Sequence, residues 1–134
     1  MHTRAVVAIA KRWGPVIIWM GAIFFMSAQS TLPGVEDTLL DLLIKKGGHM
    51  TAYGILAALL WRALGASPAN WKLAGLAWAL AVLYAASDET HQLFVPGRHG
   101  SPVDVAIDGA GACITLLVLW RRARRREAVG PLEL

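Results

Sequence analysis

Four apolar runs, at 13–28, 49–64, 71–86 and 103–120, alternate with short polar stretches along the chain. Each approaches the roughly 20 residues that a helix needs to cross a bilayer core, so the pattern predicts four transmembrane helices. The first run, WGPVIIWMGAIFFMSA, follows Arg4, Lys11 and Arg12, whose long side chains can snorkel and extend it, and has Pro15 in a first helical turn. It resembles a signal peptide, but Met26 stands where cleavage wants a small side chain, and we expect an uncleaved first span. After a polar turn at 29–34, VEDTLLDLLIKK sets Val35, Leu39, Leu42 and Leu43 on one helical face, which predicts a short interfacial helix. Gly47 and Gly48 then predict a turn into the second span.

The stretch SDETHQLFVPGRHGSPVDVAIDGAG, at 87–111, breaks the apolar pattern most sharply. It places Asp88, Glu89, His91, Gln92, Arg98, His99, Asp104 and Asp108 between two spans. Ionisable groups at membrane depth lose their water and are kept where they pair, line a wet cavity or handle a ligand. Residues three or four apart share a helical face, so His49 falls one turn from Tyr53, Asp88 from His91 and Gln92, and Asp104 from Asp108. Gly109 and Gly111 favour close approach of a neighbouring helix. The expected fold class is all-α: a polytopic membrane bundle of four transmembrane helices plus the interfacial helix, with a polar pocket at one end.

Composition narrows this further. With 134 residues, 56% hydrophobic, 16% charged and a mean hydropathy of +0.50, the chain has room for one membrane domain and no separate soluble one. The single Cys113 lies in an apolar run, which excludes an intrachain disulfide or thiolate cluster; a packing role is expected. The formal charge of +4 is concentrated in RRARRR at 121–126, a tail that behind an apolar span faces anionic headgroups rather than nucleic acid. Membrane lipids are therefore the expected partners.

With four spans, Arg4, Lys11, Arg12, Arg62, Lys72, Arg121, Arg122, Arg124, Arg125 and Arg126 fall on one side, and Lys45, Lys46 and Arg98 on the other. The excess of basic residues marks the cytoplasmic face. Both termini are then expected inside, with Trp13, Trp61, Trp71 and Trp120 at the inner interface and the polar pocket facing outward.

The candidate ligand-binding residues are Lys46, His49, Tyr53, Asp88, Glu89, Gln92, Arg98, Asp104 and Asp108. Arg98, on a Pro-Gly turn, offers forked donors to carboxylate or phosphate, and we expect it to be held by Glu89 or Asp104. An enzymatic alternative gives His49, Glu89 and His91 general acid and base roles, while a structural alternative makes the cluster glue between helices. Tyr53 fits either the site or an interfacial ring, Lys45 and Lys46 headgroup contacts, although Lys46 lies three residues before His49 and can share its face, and His99 a solvated turn. Imidazole with carboxylate suits a divalent metal, but no HExxH or comparable local spacing is present. No metal and no cofactor are expected.

The blocks KGGHMTAYGILAALL and SDETHQLFVPGRHGSPVDVAIDGAGA resemble the VanZ-like family of small bacterial membrane proteins, over roughly 46–114. The family pattern pairs Lys-x-x-His-x-x-x-Tyr with acidic-x-x-Gln, a Pro-Gly-Arg turn and an Asp four residues before Asn or Asp. Those positions are Lys46, His49 and Tyr53, then Glu89, Gln92, Pro96, Gly97, Arg98, Asp104 and Asp108. Asp108 stands where many members carry Asn, which adds a negative charge. The resemblance implies a cytoplasmic-membrane bundle with a shared outer site. The family takes its name from a glycopeptide (teicoplanin) resistance determinant. A glycopeptide antibiotic, a lipid-linked wall precursor and a phospholipid headgroup are thus the implied anionic cell-envelope ligands.

Overall fold

In the computed structural model, which describes residues 2–29 and 39–129, four α-helices follow one another: α1 (His2–Ser27), α2 (Leu39–Leu64), α3 (Trp71–Gln92) and α4 (Pro102–Val129). No strand occurs among the described residues, so the chain is all-α as expected.

One local expectation is overturned. α2 begins at Leu39 and runs unbroken through Gly47 and Gly48, so 39–46 is its first part rather than a separate interfacial helix. Glycine costs a helix interior only about 1 kcal/mol relative to alanine, which helix packing on either side offsets. Thr51 Oγ1 donates to the Gly47 carbonyl at 2.8 Å, one turn back. Val35 and the turn at 30–34 lie outside the described residues.

The helix ends follow local chemistry. Gly65, at φ +99°, ends α2: its N–H donates to the Arg62 carbonyl and that of Ala66 to Trp61, the paired closure of a glycine-terminated helix. Val95 to Arg98 form a turn closed by the Arg98 N–H on the Val95 carbonyl at 3.1 Å, with Pro96 then Gly97 (φ 77°) at its centre. That turn aims Arg98. α4 opens with Pro102 in its first turn, where the missing N–H is no loss, and the Val103 N–H donates to Ser101 Oγ at 3.2 Å.

Polar ties between elements show how the helices alternate in direction. Arg62, near the end of α2, donates to the carbonyls of Lys11 and Arg12 in α1, and Trp120 Nε1, late in α4, donates to Pro68 in the α2–α3 turn. Arg12, Arg62, Lys72 and the α4 arginines therefore share one end. Ser27, His49, Glu89 and Asp104 share the other.

The core is built of small residues. Ala57, Ala77, Ala81, Ala85 and Ala112 are buried with Tyr53, Leu56, Leu60 and Leu116. α2 and α4 make the broadest contact, while α1 packs on α2 and touches α3. A Cβ on Gly111 would overlap the Met50 carbonyl, and one on Gly54 would stand 2.5 Å from Thr115 Oγ1, so both glycines are spacers at this crossing.

Large apolar side chains face outward instead, among them Ile17, Ile18, Phe25, Leu83, Val103 and Ile114. Two helices, Thr3–Ser27 and Pro102–Val129, are long and apolar enough to cross a membrane, and only 11% and 28% of their most apolar windows are buried within the protein. A soluble core helix would show the reverse. α2 and α3 fall short of that standard because they carry Lys46, His49 and Tyr53, and Asp88, Glu89, His91 and Gln92, within their length. One side chain departs from expectation: Cys113 is exposed rather than packed.

Candidate functional site

The end of the bundle opposite the arginine cluster collects polar side chains from all four helices. Ser27 closes α1, Lys46 and His49 lie in the first half of α2 with Tyr53 just past its middle, Asp88, Glu89 and Gln92 in the last turns of α3, and Asp104 and Asp108 in the first turns of α4. Asp88, Glu89, Gln92, Asp108 and Tyr53 are buried there.

Most of these groups are paired. Lys46 Nζ forms an ion pair with Asp104 Oδ1. Ser27 Oγ donates to Asp88 Oδ2 at 2.6 Å, and Gln92 Nε2 reaches the same oxygen at 3.3 Å and Glu89 Oε1 at 3.1 Å. The Ser101 N–H donates to Glu89 Oε2 at 2.8 Å. Glu89 lies beyond the apolar run that ends at Ala86; burial pushes its carboxyl above the ordinary carboxylate value, an effect that the Ser101 N–H opposes.

Asp108 is different. It is 1% exposed, and neither carboxylate oxygen has a hydrogen-bond partner. His49 Nδ1 stands 3.8 Å from Oδ2, too far for a hydrogen bond. Ligand atoms of His49, Glu89 and Asp108 all lie within 4.8 Å of one another, so these three are the residues placed to share a cation. The Tyr53 hydroxyl is likewise buried without a partner.

Arg98 departs from the expected pairing. Its Nε donates to the Gln29 carbonyl at 3.1 Å and an Nη2 to the Met26 carbonyl at 2.9 Å, so it ties the end of α1 rather than Glu89 or Asp104. Cations belong there, because the last helical carbonyls point outward unpaired. His91 stacks on Phe24 of α1, with centroids 4.5 Å apart, and is not one of the three converging groups. His99 is exposed.

A cleft of about 230 Å³ opens between α1 and α2 beside this cluster. Trp19, Ala22, Ile23, Met26 and Ala52 form its apolar wall, and Ser27, His49, Tyr53 and Arg98 its polar part. Trp19 Nε1 donates to the Ala52 carbonyl at 2.9 Å across it.

The VanZ/LLP1 family model matches residues 13–123. The chain belongs to this family. No curated protein and no solved structure gives a significant match.

In this VanZ/LLP1 member the sequence elements marked as a site meet at one end of the fold: Lys46 with Asp104, His49 with Asp108, and Gln92 with Glu89. Two polar partners were not singled out in the sequence. Ser27 is the only hydroxyl in the first apolar run, which is a signal available to inspection. The Ser101 contribution is a backbone N–H, which no side-chain motif can announce. The apolar wall from α1 was also not foreseen, because aliphatic residues in a span read equally as lipid contacts.

Proposed function

We propose that this protein is a four-span membrane protein that holds an anionic amphiphile of the cell envelope, chain in the α1–α2 cleft and headgroup at His49 and Arg98. The observation that carries this reading is the composition of the cleft, apolar on its walls with a histidine and a guanidinium in its lining. Arg98 uses two of its five N–H donors on carbonyls, leaving three for a phosphate or carboxylate. Small-molecule pockets commonly enclose about 300–1,000 Å³. At about 230 Å³, this cleft suits one acyl segment with its headgroup, as in a phospholipid or lipid-linked wall precursor. It is a poor match for a whole glycopeptide such as teicoplanin.

The clustering of basic residues at the opposite end favours both termini in the cytoplasm and an outward-facing site. A second reading, a membrane-embedded hydrolase or transferase, draws on the convergence of His49, Glu89 and Asp108.

Native mass spectrometry of the full chain in detergent, titrated with phosphatidylglycerol and phosphatidylcholine, tests the amphiphile reading. Wild type should retain the anionic lipid preferentially. Ala22→Trp, which fills the cleft, should lose both lipids, and Arg98→Ala should lose the preference. Equal retention by all three proteins would refute the reading.

A further inference from the structure

We propose that His49, Glu89 and Asp108 form a site for a divalent first-row metal ion, zinc or manganese. The chain gives no local motif for it, because the three ligands come from three helices, α2, α3 and α4. Tertiary packing alone makes the group.

Accounting for the acids at this end isolates the site. Asp104 is neutralised by Lys46, and Asp88 accepts from Ser27 and Gln92 on Oδ2 while its Oδ1 is buried without a hydrogen-bond partner. Asp108 keeps two oxygens buried without a hydrogen-bond partner, with His49 at 3.8 Å, and Arg98, the nearest alternative cation in the sequence, is committed to carbonyls of the α1 end. A buried unpaired carboxylate is costly, so it calls for a counter-charge.

Geometry and ligand type point to a metal rather than to His49 as that counter-charge. The 3.8 Å between His49 Nδ1 and Asp108 Oδ2 is too long for a hydrogen bond. Ligands about 2.0–2.2 Å from one tetrahedral ion stand about 3.3–3.6 Å from one another, close to the spacing of this pair. The widest spacing in the group, within 4.8 Å, closes by up to about 1.5 Å when side-chain rotation brings all three onto one ion. Two carboxylates and a neutral imidazole balance a dication, leaving no net charge on the metal and its three ligands. Imidazole selects against calcium and magnesium, which prefer all-oxygen surroundings. Glu89 is already oriented, since Gln92 and the Ser101 N–H each hold one of its oxygens. His49 also lines the α1–α2 cleft, so an ion here has a route to solvent and headgroups.

The full-length protein, equilibrated with Zn2+ or Mn2+ in detergent and freed of unbound metal, is assayed by inductively coupled plasma mass spectrometry. Wild type should hold about one ion per chain, and Asp108→Asn should bind at least about tenfold more weakly. Asp104→Asn, which removes the acid paired with Lys46, should keep the ion. Should Asp108→Asn fail to fold, electron-spin-echo spectroscopy of Mn2+-loaded wild type should show a directly coordinated imidazole nitrogen. The site does not depend on lipid retention: Ala22→Trp should keep its metal whether or not lipid is lost. Absence of both metals from wild type, full retention in folded Asp108→Asn, or Mn2+ without nitrogen coupling would overturn the proposal.

Discussion

Gly111→Val tests whether the α2–α4 crossing sets both stability and site geometry. A Cβ at this position overlaps the Met50 carbonyl oxygen and stands 2.9 Å from its carbonyl carbon, against 3.4–4 Å for ordinary contact. Backbone cannot rotate aside as a side chain can, so the helices must separate locally by at least about half an ångström. A gap of that size forfeits about a quarter of each contact's dispersion energy. Overpacking of this kind costs about 1–3 kcal/mol. The contact also lies next to His49 on α2 and one turn from Asp108 on α4, so separation there lengthens their 3.8 Å spacing. Reversible unfolding in mixed micelles, followed by circular dichroism, should show the loss. Gly75→Val is the comparison, because nothing lies within 4 Å of a Cβ built there. If Gly111→Val unfolds with the same free energy as Gly75→Val, close backbone approach does not hold this bundle together.

Arg98→Ala should cost about 1–2 kcal/mol, less than two fully buried charged hydrogen bonds because the side chain is half-exposed; a neutral result in the same unfolding assay would free Arg98 from its structural role. Tyr53→Phe should leave stability unchanged or raise it by up to about 1 kcal/mol, since its hydroxyl is buried without a partner, and a loss greater than that would expose a bond the structure lacks. In a Cys113→Ala background, a cysteine at Ser101 should react with an impermeant thiol reagent in intact cells and one at Arg124 should not; the reverse labelling would place the site on the cytoplasmic side.

The polar stretch at 87–111 was legible as a cluster of ionisable groups because charge inside an apolar pattern has few other uses, and the i,i+4 spacing of Asp104 and Asp108 matches their place on α4. The Gly47–Gly48 turn misled for a physical reason: glycine's local helix penalty is small beside the packing of a long helix. Arg98 misled for another. Its charge suggested an acid partner, whereas it binds backbone carbonyls at the end of α1, invisible as side-chain chemistry. The unpaired state of Asp108 could be seen only after the other acids had found their partners in three dimensions.

α1 is fastened differently from its neighbours. Where α2 and α4 meet through glycines and alanines, α1 is tied along its length by hydrogen bonds from Arg62, Trp19, Tyr84, Ser27 and Arg98. Such bonds hold where hydrocarbon keeps competing water away, and weaken where it does not. The bilayer is then part of the fastening, and we predict that α1 responds first to a change of solvent. Hydrogen exchange in a thick-tailed detergent should protect the α1 backbone about as well as α4, and transfer to a short-chain, water-permeable micelle should release α1 while α4 stays protected. Equal release of both helices would contradict this. On this reasoning the surrounding lipid sets how firmly α1 is held to the other three helices.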